Sequence, residues 1–160
     1  MTPKKKVATK SKKSGKKAMS ATKKTPKVKD TPKKPRIGIL IADDHSVVRQ
    51  GLVSLIGFES DMMVVGEAGN GREAVDLWKR HRPEVTMLDL RMPELDGVGV
   101  IKQIRADDEN ARIIVLTTFD GDEDIYRAIQ AGAKGYLLKD TPREALMELM
   151  TREPRPEEDR

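Results

Sequence analysis

Five short apolar runs alternate along this chain with stretches whose apolar residues recur every three or four positions. The first run, Ile37-Gly38-Ile39-Leu40-Ile41-Ala42, ends in Asp43-Asp44. Val47, Val48, Leu52, Leu55 and Ile56 follow at helical spacing and predict a helix with one apolar face that stops near Gly57. Met62-Met63-Val64-Val65-Gly66 predicts a second strand, and a loop with Asn70 or Gly71 near its end leads to a helix over 72–81 bearing Ala74, Val75, Leu77 and Trp78. Pro83 closes it before Val85-Thr86-Met87-Leu88-Asp89. Val98, Val100, Ile101 and Ile104 predict a third helix, and Ile113-Ile114-Val115-Leu116 a strand ending in Thr117-Thr118. Ile125, Ala128 and Ile129 predict a fourth helix that stops at Gly132, and Tyr136-Leu137-Leu138 a last strand ending in Lys139. Thr141-Pro142-Arg143-Glu144 has the form of a capping box with Pro at the first helical position. Leu146, Leu149 and Met150 give the final helix its apolar side, and Pro154 and Pro156 end it.

Strand and helix alternating five times predict an α/β fold, a parallel sheet covered by helices on both faces. Near-continuous apolar strands fit burial on both sides. In such sheets a site forms at the carboxyl ends of the strands, where strand order switches. Asp43, Asp44, Asp89, Thr117 and Lys139 all fall at predicted strand ends.

Charge divides the chain unevenly. Of 31 basic and 26 acidic residues, 14 Lys and only Asp30 lie in residues 1–35, leaving 17 basic and 25 acidic residues beyond. The first part therefore carries about +13 and the rest about −8, although the whole chain sums to +5. Residues 1–35 have no aromatic side chain and little to bury, which predicts a disordered tail. Thr-Pro-Lys recurs there at Thr2, Thr25 and Thr31, a pattern that resembles the basic tails of linker histones. Such Lys density suits sequence-independent neutralisation of nucleic-acid phosphates; the plainer reading is a solubilising tail, or one resting on its own acidic domain. The chain has no Cys, no apolar stretch long enough to span a membrane and no secretory signal core, so a cytoplasmic protein is expected. The organisation read from the sequence is a tail over 1–35, one domain over 36–152 and a polar end over 153–160.

Three carboxylates converging on one rim repel each other, and a divalent hard cation such as Mg²⁺ resolves the repulsion. Lys139 adds a charge that can reach a phosphoryl oxygen, and Thr117 adds a hydroxyl donor. Together they suit a carboxylate that receives a phosphoryl group. No Gly-Lys-Ser/Thr phosphate loop occurs to bind a nucleotide donor, and neither His45 nor His81 has a metal-ligand spacing. Taken singly these residues also admit plainer roles. Asp43 and Asp44 could cap a helix, Lys139 could be a solvated strand-end charge, Thr117 a core hydroxyl and Tyr136 half-buried packing.

Residues 36–150 resemble the response-regulator receiver domain of two-component signalling. The stretch from Asp43-Asp44-His45-Ser46-Val47-Val48-Arg49 to Gln50-Gly51-Leu52 is similar to the NarL/FixJ branch, as are Leu116-Thr117-Thr118-Phe119-Asp120 and Ala131-Gly132-Ala133-Lys134-Gly135-Tyr136-Leu137-Leu138-Lys139-Asp140. The resemblance implies a flavodoxin-like (βα)5 sheet in the order 2-1-3-4-5. It implies Asp89 as acceptor from the phosphohistidine of a sensor histidine kinase, and a Mg²⁺ site made by Asp44 directly, Asp43 largely through water, the Asp89 carboxylate and the Arg91 backbone carbonyl. It further implies that Lys139 pairs with the phosphate, that Thr117 follows it, and that Tyr136 swings inward behind it. The switch would involve the fourth helix, and that face would bind a partner or a second copy in a homodimer. Such a protein is a signalling phosphoacceptor rather than an enzyme, catalysing at most its own phosphorylation and dephosphorylation. Pro93 and Gly97 match the loop after the acceptor; Asp140 stands where many receivers have Pro, so a cis peptide is not carried over. Phe119 is a candidate shield of the phosphoryl group against water.

NarL/FixJ regulators normally continue into a helix-turn-helix domain that binds DNA. This sequence instead ends in the polar run from Arg152 through Pro154 and Pro156, which reads as a stand-alone receiver or as one whose output domain was lost or left out. The alternative reading is an architectural nucleic-acid-binding protein whose receiver is a phosphate-independent dimerisation scaffold. A phosphatase with an aspartyl nucleophile would need an acid two residues past Asp89, where Arg91 stands.

Overall fold

A computed structural model describes residues 2–3, 35–118 and 121–152. The tail expected over 1–35, the shielding role of Phe119, and the polar end with Pro154 and Pro156 therefore fall largely or wholly outside the described residues. The folded unit is built as β1 (Ile37–Ala42), α1 (Ser46–Gly57), β2 (Met62–Ala68), α2 (Gly71–His81), β3 (Val85–Asp89), α3 (Gly97–Asp107), β4 (Ile113–Thr117), α4 (Asp122–Ala131), β5 (Gly135–Leu138) and α5 (Arg143–Thr151). The five strands pair in parallel in the order β2-β1-β3-β4-β5. This is the doubly wound, flavodoxin-like arrangement, with its order reversing between β1 and β3.

Alternation along the central strands sorts their side chains into two buried layers. Leu40, Ala42, Leu88, Ile113 and Val115 pack with Val75 and Trp78 of α2, Ile101 and Ile104 of α3, and Ala128 of α4. Ile39, Ile41, Met87, Ile114 and Leu116 pack on the other side with Leu52 and Ile56 of α1 and Leu146 and Met150 of α5. Period-two alternation within continuous apolar runs is what burial on both faces demands. The β1–β2 register slips by one residue between Ile39 and Leu40, so Gly66 rather than Val65 stands opposite Leu40.

Local signals set most of the boundaries. Asn70 caps α2 by accepting from the Glu73 amide at 2.9 Å, and Gly132 closes α4 with φ 111°, a left-handed conformation glycine adopts without a Cβ penalty. At the far end of α5, Arg112 donates to the carbonyls of Leu149 and Met150, meeting acceptors that a helix terminus otherwise leaves open.

Three expectations need correction. Val47 is 79% exposed, because it shares the helix face of Gln50, Gly51 and Ser54 rather than that of Leu52 and Ile56. β2 continues two residues past Gly66, carried by its pairing with Ile41 and Ala42 of β1. The capping box at Thr141 does not form. The Thr141 amide closes a turn on the Leu138 carbonyl at 3.0 Å, extended Pro142 becomes the N-cap, and α5 starts at Arg143. All peptide bonds among the described residues are trans. No helix among them is long and apolar enough to cross a membrane.

Candidate functional site

β1 and β3 lie side by side, with Ala42 opposite Leu88, so the residues that follow each strand emerge on one rim. Asp43 is fully buried and Asp89 is 4% exposed, whereas Asp44 and His45 face solvent. Ligand atoms of Asp43, Asp44, His45 and Asp89 all lie within 4.8 Å of one another. β4 and β5 bring the second half of the rim: the Lys139 amide donates to the Thr117 carbonyl at 2.8 Å, fixing the start of the loop after β5.

From that anchor the Lys139 side chain reaches back across the sheet. Its ammonium stands 2.6 Å from Asp43 Oδ2 and 3.2 Å from Asp89 Oδ2, largely shielded from solvent. Burial by itself pulls the Lys139 pKa down, but the two neighbouring carboxylates outweigh it and the net direction is up. For Asp89 the largest influence is again burial, which pushes its carboxyl up. Lys139 opposes that and Asp43 adds to it, and the result stays above the usual carboxylate range. Asp89 is thus a buried acid whose charged form is not fully compensated by the side chains around it.

The remaining contacts set orientation. Asp43 Oδ1 accepts from the His45 amide at 2.8 Å, and Arg49 donates to the Asp43 carbonyl at 2.6 Å. Asp89 Oδ1 accepts from the Arg91 amide at 3.3 Å. Although Lys139 is close, no donor meets Asp43 Oδ2 in hydrogen-bonding geometry; the contact is an ion pair that leaves acceptor capacity aimed into the cluster. That open oxygen, beside the carboxylates of Asp44 and Asp89, suits a hard divalent cation.

The structure brings Asp43, Asp44, Asp89 and Lys139 together, with Thr117 half-buried at the end of the neighbouring strand. Tyr136 stands apart from them, 49% exposed on β5. Sequence reasoning missed His45. Its Nδ1 lies 3.0 Å from Asp44 Oδ1 and 3.3 Å from Asp43 Oδ1, although spacing gave it no ligand role. The available signal was adjacency to two acids at a strand end, since the N-cap of α1 must turn back over them. Arg49 was equally unmarked, one helical turn further on.

A family model described as the response regulator receiver domain matches residues 39–151. The transcriptional regulatory protein YdfI of Bacillus subtilis (strain 168) is 46% identical over 112 residues, 70% of this chain and 52% of YdfI. The nitrate/nitrite response regulator NarP of Escherichia coli (strain K12) is 41% identical over 110 residues, 69% of this chain and 51% of NarP. The chain spans about half the length of these curated relatives. Among solved structures, the signal receiver domain of NarL from Mycobacterium tuberculosis superposes with a TM-score of 0.68 at 34% identity, covering 73% of this chain and 98% of that one. A chain of the CheX-CheY-BeF3-Mg²⁺ complex from Borrelia burgdorferi gives 0.67 at 25% identity, covering 72% and 87%. Fold, rim and relatives agree: this chain belongs to the response-regulator receiver domain family of two-component systems, with NarL-type regulators among its relatives.

Proposed function

We propose that Asp89 accepts a phosphoryl group from the phosphohistidine of a sensor histidine kinase, and that this modification switches the domain. The observation that carries the reading is Asp89 itself: a 4% exposed carboxylate with its pKa raised, in contact with one cation and surrounded by further acids. Burying a charged carboxylate costs stability unless it is paired, hydrogen-bonded or bound to a metal. One Asp89 oxygen attacks phosphorus while the bond to the donor imidazole nitrogen breaks, and the imidazole leaves with its electron pair. Lys139, already 3.2 Å from Asp89, neutralises charge on the transferring oxygens. Asp44, Asp43, Asp89 and the Arg91 carbonyl would hold Mg²⁺, which supplies electrostatic stabilisation of the same oxygens. The Borrelia burgdorferi complex contains BeF3 and Mg²⁺, which supports Mg²⁺ as the ion for this site.

Thr117 and Tyr136, on neighbouring strands paired at Val115–Tyr136 and Thr117–Leu138, are the proposed switch pair. Phosphate at Asp89 draws the Thr117 hydroxyl toward it and Tyr136 inward, changing the α4–β5 surface that a partner or a second copy would read. YdfI is named a transcriptional regulatory protein and NarP a nitrate/nitrite response regulator, and we assign this chain to the same signalling class.

The test is intact-mass measurement after incubation with acetyl phosphate and Mg²⁺. A phosphate-sized gain that is absent in Asp89→Asn is the expected result. If neither protein is modified, the domain is a phosphate-independent scaffold.

A further inference from the structure

Residues 1–35 lie outside the receiver match, which begins at residue 39. They hold 14 Lys and one acid, while the rest of the chain is about −8. A folded part with that sign repels polyanions, so any affinity for them resides in the tail.

Composition narrows the anion. The segment has no Phe, Tyr, Trp, Leu or Ile, so against a membrane it offers charge alone, without the apolar insertion that seats basic helices in the interface. The same lack removes the stacking platforms on which single-stranded bases are recognised. What remains is a run of point charges with Pro at intervals. That matches the duplex backbone, which presents about one negative charge per 1.7 Å of axis. The chain enters β1 at Ile37, whose amide donates to the Asp61 carbonyl at 2.8 Å, at the rim opposite Asp43 and Asp89.

We propose that residues 1–35 bind the phosphate backbone of duplex DNA without regard to sequence, a function separate from phosphoryl acceptance at Asp89. The lysines act as exchangeable charges, so binding depends on their number and not on the Thr-Pro-Lys order.

The test titrates the full chain against a random-sequence fluorescent DNA duplex by anisotropy, in EDTA so that the acid cluster plays no part. Engagement of 6–10 lysines predicts that affinity falls by about 10³–10⁵ between 50 and 200 mM salt. Replacing all 14 tail lysines by Gln abolishes binding, replacing them by Arg preserves it, and shuffling the tail order leaves it unchanged; circular dichroism verifies that each variant keeps the native fold. Asp89→Asn binds as the parent does, which keeps this outcome independent of the phosphoacceptor reading. The proposal is overturned by no binding at 50 mM salt, which is the result of a tail resting on its own acidic domain. It is equally overturned by binding that survives the Gln replacement, or by tighter binding to single-stranded RNA or to anionic vesicles.

Discussion

The Lys139 ammonium lies 2.6 Å from Asp43 Oδ2, closer than its 3.2 Å approach to Asp89. Lys139 is therefore shared between two carboxylates, with the more buried one favoured. Removing it by Lys139→Met leaves both acids without their common cation. Breaking a buried pair from one side typically costs 3–5 kcal/mol, and this rim is partly open, so a loss of about 3 kcal/mol is expected in urea titrations performed in EDTA. Mg²⁺ recovers part of the loss, because a dication can take over the same charges. A variant as stable as the parent in EDTA would show that the pairing carries no weight.

Asp89→Asn should stabilise the metal-free protein. Asp89 has a folded pKa above its unfolded value, so its contribution to stability is fully present below the unfolded pKa and is lost as pH rises through the folded one. Parent and variant consequently melt together in acid, and the variant melts several degrees higher near neutrality. Saturating Mg²⁺ narrows the gap. Thermal melts from pH 4 to 7 in EDTA read the effect, and a variant that melts lower at pH 7 would contradict it.

Thr86 is a third source of cost. It is 1% exposed on β3 and its Oγ1 has no hydrogen-bond partner. Thr86→Val keeps the shape and removes the orphaned hydroxyl, so stability rises by about 1 kcal/mol, the lower end of the penalty for an unsatisfied buried group. The urea midpoint moves up with an unchanged slope. A midpoint that falls instead would mean that the hydroxyl is satisfied by water.

Arg112 ties the entrance of β4 to the exit of α5 through the carbonyls of Leu149 and Met150. Arg112→Ala frees that helix end and should cost about 2 kcal/mol, since charge-assisted bonds contribute ~1.5–3 kcal/mol. Hydrogen exchange should speed up in the last turn of α5 ahead of the other helices. Uniform acceleration across the domain would instead mean that Arg112 supports the fold globally.

Much of this was legible in the chain because burial on both faces of a parallel sheet writes long apolar runs, and Ile37–Ala42 and Val85–Asp89 read as strands directly. Their terminal acids then fell on one rim, since Asp43 and Asp89 follow paired positions of neighbouring strands. Side-chain direction was less legible. Val47 fits a helical period yet points outward, because a period gives a face only relative to the sheet it meets. His45 escaped notice because its place in the cluster depends on the turn between Asp43 and α1, which spacing does not encode. Thr141 looked like a cap, but its amide was already engaged in a turn.

The sheet backbone divides the interior into two compartments that share no apolar side-chain cluster. Void created under α1 and α5 cannot be filled by residues beneath α2, α3 and α4, so lesions in opposite compartments should combine without interaction energy. Sequence drift can then proceed independently above and below the strands. Only at the acidic rim, where the strands end, do the two histories have to agree.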